Sequence, residues 1–180
     1  RGVDAVTIDG VEFVDNTSDE HGGALAVREA DSLTITNSSF DGNTAEDGDG
    51  GAVLAVEVGS IEITGSEFTR NQAIDDGSGR GAGGAVFVTL SGPVEITGST
   101  FGHGDPAGRN TADTDGGALA VYSIAGDLEI AGSEFLLNEA GLSGGGVYAG
   151  EVLALDVTGS LFDGNVAGEG GALFVDDLAA

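Results

Sequence analysis

The chain has 180 residues, 34 of them glycine, and contains no cysteine, methionine or tryptophan. Thirty-one acids stand against five arginines with no lysine, a net charge of −26; nucleic acid, heparin-like polymers and anionic membranes are therefore poor partners, because neutralising their charge needs basic residues. An apolar content of 40% argues against disorder, the length is that of one domain spanning 1–180, and the absence of cysteine removes disulfide and thiol chemistry.

From the N-terminus, the first predicted strand is "VTID" in "VTIDGVEFVDN" (6–16), and the same pattern then returns. "LTITNSSFDGN" (33–43), "IEITGSEFTRN" (61–71), "LEIAGSEFLLN" (128–138) and "LDVTGSLFDGN" (155–165) superimpose on it without gaps. "VEITGSTF" (94–101) joins them, with its asparagine delayed to Asn110 by the insert "GHGDPAGR". Each copy is followed by a glycine pair and a short apolar run: "HGGALAV", "DGGAVLAV", "GGAVFV", "DGGALAV", "GGGVYA" and "GGALFV". Phenylalanines at 13, 40, 68, 101, 135 and 162 are separated by 27, 28, 33, 34 and 27 residues. Six imperfect repeats thus cover nearly the whole chain.

Alternation of period two marks a strand before each Phe, and a β-branched run marks a second strand after each glycine pair. No window carries a helical period of useful length. Two short strands in about 30 residues, without helix, describe one coil of a solenoid, whose stacked coils place equivalent residues about 4.8 Å apart. The expected fold is all-β, a right-handed single-stranded parallel β-helix of about six rungs. A β-sandwich would not require Phe and Asn at matching places in every repeat.

In such a coil Phe13, Phe40, Phe68, Phe101, Phe135 and Phe162 stack inside, each burying about 2 kcal/mol of apolar surface. Asn16, Asn43, Asn71, Asn110, Asn138 and Asn165 form an amide ladder at a turn, satisfying backbone groups and tolerating left-handed dihedrals. The glycine pair makes a corner where a Cβ would clash. The stretch between Asn and the glycine pair is a loop free to vary, because closure entropy grows slowly with length.

The pairing of "FVDN…GGAL", "FDGN…GGAV", "FTRN…GGAV", "FLLN…GGGV" and "FDGN…GGAL" resembles the repeats of chlamydial polymorphic outer-membrane proteins and the bacterial and archaeal surface proteins that share them. Only the Phe101 copy departs from the first motif, and only the fifth copy from the second, with Gly146 in place of alanine. The resemblance implies a β-helical, adhesin-like passenger of a secreted or cell-surface protein. It carries over no catalytic residue, and nothing in the chain resembles the membrane-embedded barrel of such proteins.

The acidic surface without lysine also resembles proteins of salt-loving organisms. The outward position between the two inward aliphatics reads Thr7, Thr34, Glu62, Glu95, Glu129 and Asp156, so four consecutive rungs stack like charges, which salt or bound cations would relieve. "EDGDG" (46–50) and "DTDG" (113–116) place carboxylates two apart before glycine, as hard-cation loops do. Asp47, Asp49, Asp113 and Asp115 are therefore candidate calcium ligands, although neither loop continues into an EF-hand. Asp19–Glu20 and Asp75–Asp76 occupy the equivalent loops of other rungs.

An enzyme is not expected. β-Helical lyases need a basic residue to stabilise an enolate-like charge, and the five arginines (1, 28, 70, 80, 109) fall at different repeat positions. Glycosidases need two carboxylates in a cleft, but so acidic a chain supplies such pairs anywhere. His21 and His103 lie in loops of different repeats. A carbohydrate-binding or carbohydrate-cleaving β-helix is the competing function.

With Leu25, Val53, Val86, Leu119, Val147 and Leu173 inward, the next residues point outward. Leu54, Phe87, Tyr148 and Phe174 then form an apolar column, a candidate partner surface. Arg1 without a preceding Met suggests a trimmed segment, and the absence of polar caps suggests an excerpt of a longer chain or a subunit with neighbours. Expected partners are coils of the same chain, further copies in a filament, surface glycans or a cell-surface protein.

Overall fold

The computed structural model describes residues 4–177. Arg1 and Ala180, on which the expectation of a trimmed chain rests, lie outside the described residues. Every sheet is parallel, and its neighbouring strands come from successive repeats. The first sheet is built from Val6–Asp9, Leu33–Thr36, Ile61–Thr64, Val94–Thr97, Leu128–Ala131 and Leu155–Thr158. The second contains Glu12–Val14, Ser39–Asp41, Glu67–Thr69, Thr100–Gly102, Glu134–Leu136 and Leu161–Asp163. The third is narrow, with Thr17–Ser18, Thr44–Ala45, Gln72–Ala73, Thr111–Ala112 and Glu139–Ala140; a bridge from Glu139 to Val166 extends it to the last coil. The fourth runs through Leu25–Ala30, Val53–Val58, Val86–Thr89, Leu119–Tyr122, Val147–Gly150 and Leu173–Asp176. The molecule is a parallel β-helix of six coils, and each of the first five coils contributes four short strands, the last three and a bridge, where two are expected from the alternation alone.

Register is kept across all coils. Phe13 pairs with Phe40, Phe40 with Phe68, Phe68 with Phe101, Phe101 with Phe135, and Phe135 with Phe162. Their rings stack at centroid distances of 4.6–4.8 Å and interplanar angles of 3–10°. The separation is the strand spacing itself, so the backbone ladders set the stacking distance. The four inner rings are completely buried, alongside Leu33, Ile35, Ile63, Ile96, Leu119, Leu128 and Ile130.

Two polar columns brace this core. Asn71 donates from Nδ2 to the Phe40 carbonyl (2.9 Å) and to Asn110 Oδ1 (2.9 Å), while its Oδ1 accepts from the Asn43 backbone N–H (3.0 Å) and Asn43 Nδ2 (2.9 Å). The pattern repeats from Asn16 to Asn165. A second column, unanticipated, consists of Ser38, Ser66, Ser99, Ser133 and Ser160, each Oγ accepting the N–H of the equivalent residue one coil earlier. No described buried side-chain polar atom lacks a partner, as buried polar groups require.

The corners correct one expectation. The left-handed residue in the Phe-to-Asn segment is the one before the asparagine, as at Asp15 (φ 52°), Gly42 (φ 70°), Arg70 (φ 56°), Leu137 (φ 57°) and Gly164 (φ 65°). Asparagine is used there for its amide ladder. In the glycine pair the roles divide: the first glycine supplies the left-handed turn, with Gly83 at φ 67°, and the second supplies close approach. A Cβ on Gly84 would stand 2.1 Å from the Gly117 carbonyl oxygen.

Candidate functional site

Outward side chains fall into three groups: the acidic loops, the acidic column of the first sheet, and the apolar column of the fourth sheet. In the loops the structure separates the paired aspartates that the sequence places together. Asp49 Oδ1 accepts from the backbone N–H groups of Gly81 and Ala82, both at 3.0 Å, which ties the long loop of the next coil to the corner below it. The backbone N–H of Asp49 donates to Nδ1 of His21 (2.9 Å), so that histidine nitrogen acts as an acceptor. Asp115 takes the Tyr122 hydroxyl on Oδ2 (2.8 Å) and the Ser143 N–H on Oδ1 (3.0 Å). Burial, with Asp115 second, pushes the Tyr122 hydroxyl well above its usual range. Asp113 accepts the backbone N–H of Asp75 (2.9 Å).

Asp47 instead meets Asp75 and Asp76 from the next coil, with one ligand-capable atom of each within 4.8 Å of the others. The hydrogen bond and charge of Asp47 raise the Asp76 carboxyl above the ordinary range. Asp75 moves the opposite way, held down by backbone N–H groups, chiefly that of Gly79. Of the four candidate calcium ligands, therefore, Asp49, Asp113 and Asp115 carry hydrogen bonds that hold loops in place, and only Asp47 lies in a carboxylate group. Residues two apart in a turn diverge, whereas residues one coil apart converge, and for that reason spacing along the chain misses the grouping.

The acidic column of the first sheet forms as expected. Glu62 pairs with Glu95, Glu95 with Glu129, and Glu129 with Asp156, and all four are exposed. Thr64 and Thr97 donate weakly to Glu62 and Glu95 at 3.4 Å, and among the described residues no arginine pairs with the column. Its repulsion is therefore relieved by solvent ions alone. Since the Debye length falls to about 3 Å near 1 M salt, the melting temperature should rise by at least about 5 °C between low salt and molar NaCl or KCl. A melting temperature flat across that range would leave the acidic surface as a solubility device.

The apolar column is corrected in part. Leu54 is 2% exposed and Tyr148 8% exposed, while Phe87 and Phe174 remain half-buried. Tyr148, Ala82 and Ala120 form a second small core with Phe87, Tyr122 and Phe174 packed against it. Stacking is the reason. Tyr122 lies 4.6 Å from Tyr148, and Tyr148 lies 5.7 Å from Phe174, so Tyr148 has a ring on either side. Gly79, Arg80 and Ala82 of the long loop line the hollow beside Phe87 and Tyr122. Leu54 and Tyr148 are thus largely withdrawn from a partner, and Phe87 and Phe174 keep part of their surface exposed.

The remaining sequence candidates are dispersed. Arg70 grips Asp41 through Nε (2.7 Å) and Nη2 (2.6 Å) and lies 3.7 Å from Asp15, a brace across three coils that holds the Asp41 carboxyl below the usual carboxylate range. Arg109 pairs with Glu139. His103 is exposed in the insert of the fourth repeat, which closes with the short 3-10 turn Pro106–Gly108. Among the described residues no helix is long and apolar enough to cross a membrane.

Residues 37–56 and 159–176 match the Chlamydia polymorphic membrane protein (Chlamydia_PMP) repeat. The first segment holds Phe40, Asn43 and the pair Gly50–Gly51, and the second holds Phe162, Asn165 and the pair Gly170–Gly171. No curated protein and no solved structure matches the chain.

Proposed function

We propose, for a chain with two segments that match the Chlamydia polymorphic membrane protein repeat, that it is a rigid structural and adhesive element of a secreted or cell-surface protein, with no catalytic role. The observation that carries this reading is the contrast between fixed columns and variable loops. Phe, Asn and glycine-pair columns run through all six coils, while the stretch after Asn71 and the insert before Asn110 lengthen without disturbing the register on either side. Loops of free length held on a rigid scaffold suit recognition of another surface, for which surface glycans and cell-surface proteins are the proposed ligands. The candidate chemistry also fits a scaffold, because His21, Asp49, Asp115 and Arg70 are all engaged in bonds between coils.

Trypsin treatment of intact cells of the source organism tests the reading. The chain has no lysine, and Arg80 sits exposed in the longest loop, a preferred kind of site for nicking. Cleavage after Arg80 on intact cells, with loss of their attachment to a second cell layer, is the expected result. Cleavage only after lysis would overturn the surface assignment.

A further inference from the structure

Alternation along Val86–Thr89 turns Val86 and Val88 into the core and leaves Phe87 and Thr89 outward and half-buried. On the next strand Tyr122 is paired with Thr89, and its ring lies 5.5 Å from that of Phe87. The long loop of the same coil returns beside them. Arg80 of that loop joins Phe87, Thr89 and Tyr122 around a hollow of about 330 Å³, which also reaches Asp49, Thr114 and Asp115. We infer that this hollow binds a single neutral pyranose ring of a glycan. The inference rests on the adhesive reading above, to which it adds a ligand class and a place.

Bonds between coils hold the hollow in shape. Asp49 Oδ1 fixes the end of the loop through the backbone N–H groups of Gly81 and Ala82, both at 3.0 Å. The Gly81 carbonyl accepts the Thr114 backbone N–H at 3.2 Å, and the Tyr122 hydroxyl is tied to Asp115. Three successive coils thus meet at one place. With the walls already ordered, binding costs little conformational entropy, and the volume is at the lower end of the range for small-molecule sites.

The free groups of the hollow match a sugar. Among the described residues, Thr89 and Thr114 are engaged only through their backbones, so both hydroxyls are open to a ligand. Asp49 Oδ2 has no donor there either: His21 Nδ1, 3.6 Å away, itself accepts the Asp49 N–H and has no proton to give. Arg80 is exposed and forms no ion pair among the described residues. Such a mixture of donors and acceptors beside an aromatic ring suits a molecule with hydroxyls on its rim and C–H groups on its face.

Charge selects the class of sugar. Asp49 and Asp115, within a chain of net charge −26, repel uronates and sulfated sugars. Arg80 places a cation of the chain's own beside the rings, where an ammonium ligand would have to displace it. A neutral ring meets neither penalty.

Saturation-transfer-difference NMR of the 180-residue chain tests the inference. The probes are methyl α-glucopyranoside, methyl β-galactopyranoside and methyl α-mannopyranoside, with glucuronic acid and tetramethylammonium chloride as charged comparisons. Transfer to the C–H protons of at least one neutral glycoside is expected, with a dissociation constant of about 1–10 mM, and none to the charged probes. Phe87→Ala should weaken binding about tenfold, Phe87→Tyr should restore it, and Thr89→Val should weaken it about fivefold. Thr89→Val keeps the β-branched shape, so it carries the test should Phe87→Ala fail to fold. No transfer to any of the three glycosides, transfer to a charged probe in their place, or binding indifferent to Phe87→Ala and Thr89→Val would overturn the inference. Absence of sugar binding in a chain that trypsin cuts on intact cells removes this site alone. Sugar binding by a chain cut only after lysis keeps the site and removes the surface assignment.

Discussion

Replacing Phe68 by alanine is expected to cost about 3–5 kcal/mol of stability. The ring is fully buried and lies 4.8 Å from both Phe40 and Phe101, at interplanar angles of 5° and 3°. Its removal leaves a void that cannot close, because the spacing of the coils is fixed by backbone ladders on four sides. The transfer and cavity contributions therefore add in full. Phe13→Ala provides the internal comparison: that ring stacks on one face only and is partly exposed, so its loss should cost less than about 2 kcal/mol. Denaturant midpoints of the two variants measure the difference. Equal losses would mean that the stack is not the rigid interior of the coil.

Gly84→Ala is expected to be as damaging, at about 3 kcal/mol or more, for a steric reason. The new methyl would meet the Gly117 carbonyl oxygen at 2.1 Å and the Thr111 carbonyl oxygen at 2.5 Å. Both atoms belong to the next coil's backbone, and the Gly84 N–H is itself bonded to the Gly116 carbonyl at 3.0 Å. Relief would require two coils to part, breaking register in the third and fourth sheets together. Gly104 is the control: it has nothing within 4 Å of an added Cβ and no left-handed φ. Gly104→Ala should stay within about 0.5 kcal/mol of the parent. Thermal or denaturant unfolding separates the two, and a well-folded Gly84→Ala protein would refute the close packing of the corner.

The Phe, Asn and glycine-pair columns are legible in the sequence because a solenoid repeats each local requirement once per coil, and six copies raise it above chance. The serine column was equally available in "GSEF" and "GSTF". Serine reads as an ordinary turn residue, however, and its role emerges only when Ser66 is seen to be 3% exposed and accepting from the coil before it. Strands of two or three residues, such as Thr44–Ala45 and Ser39–Asp41, are too short to show alternation, so the second and third sheets escape sequence reading. Contacts between loops were the least accessible. Asp47 finds Asp75 and Asp76 across a coil boundary, and Tyr148 is covered by rings from the coils on either side. Neither relation is encoded in spacing along one repeat.

The central claim, that six coils are stacked in one register, is tested most directly by distances between spin labels on one column. The chain has no native cysteine, so labels go only where they are placed. Thr7, Thr34 and Asp156 occupy the same outward column, and labels there extend in parallel from equivalent backbones. At one strand spacing of about 4.8 Å per coil, the Thr7→Cys/Asp156→Cys pair should give a narrow distribution near about 24 Å, and Thr34→Cys/Asp156→Cys one near about 19 Å. Broad distributions, or a difference between the two pairs other than about one strand spacing, would contradict the stacked, register-locked coil.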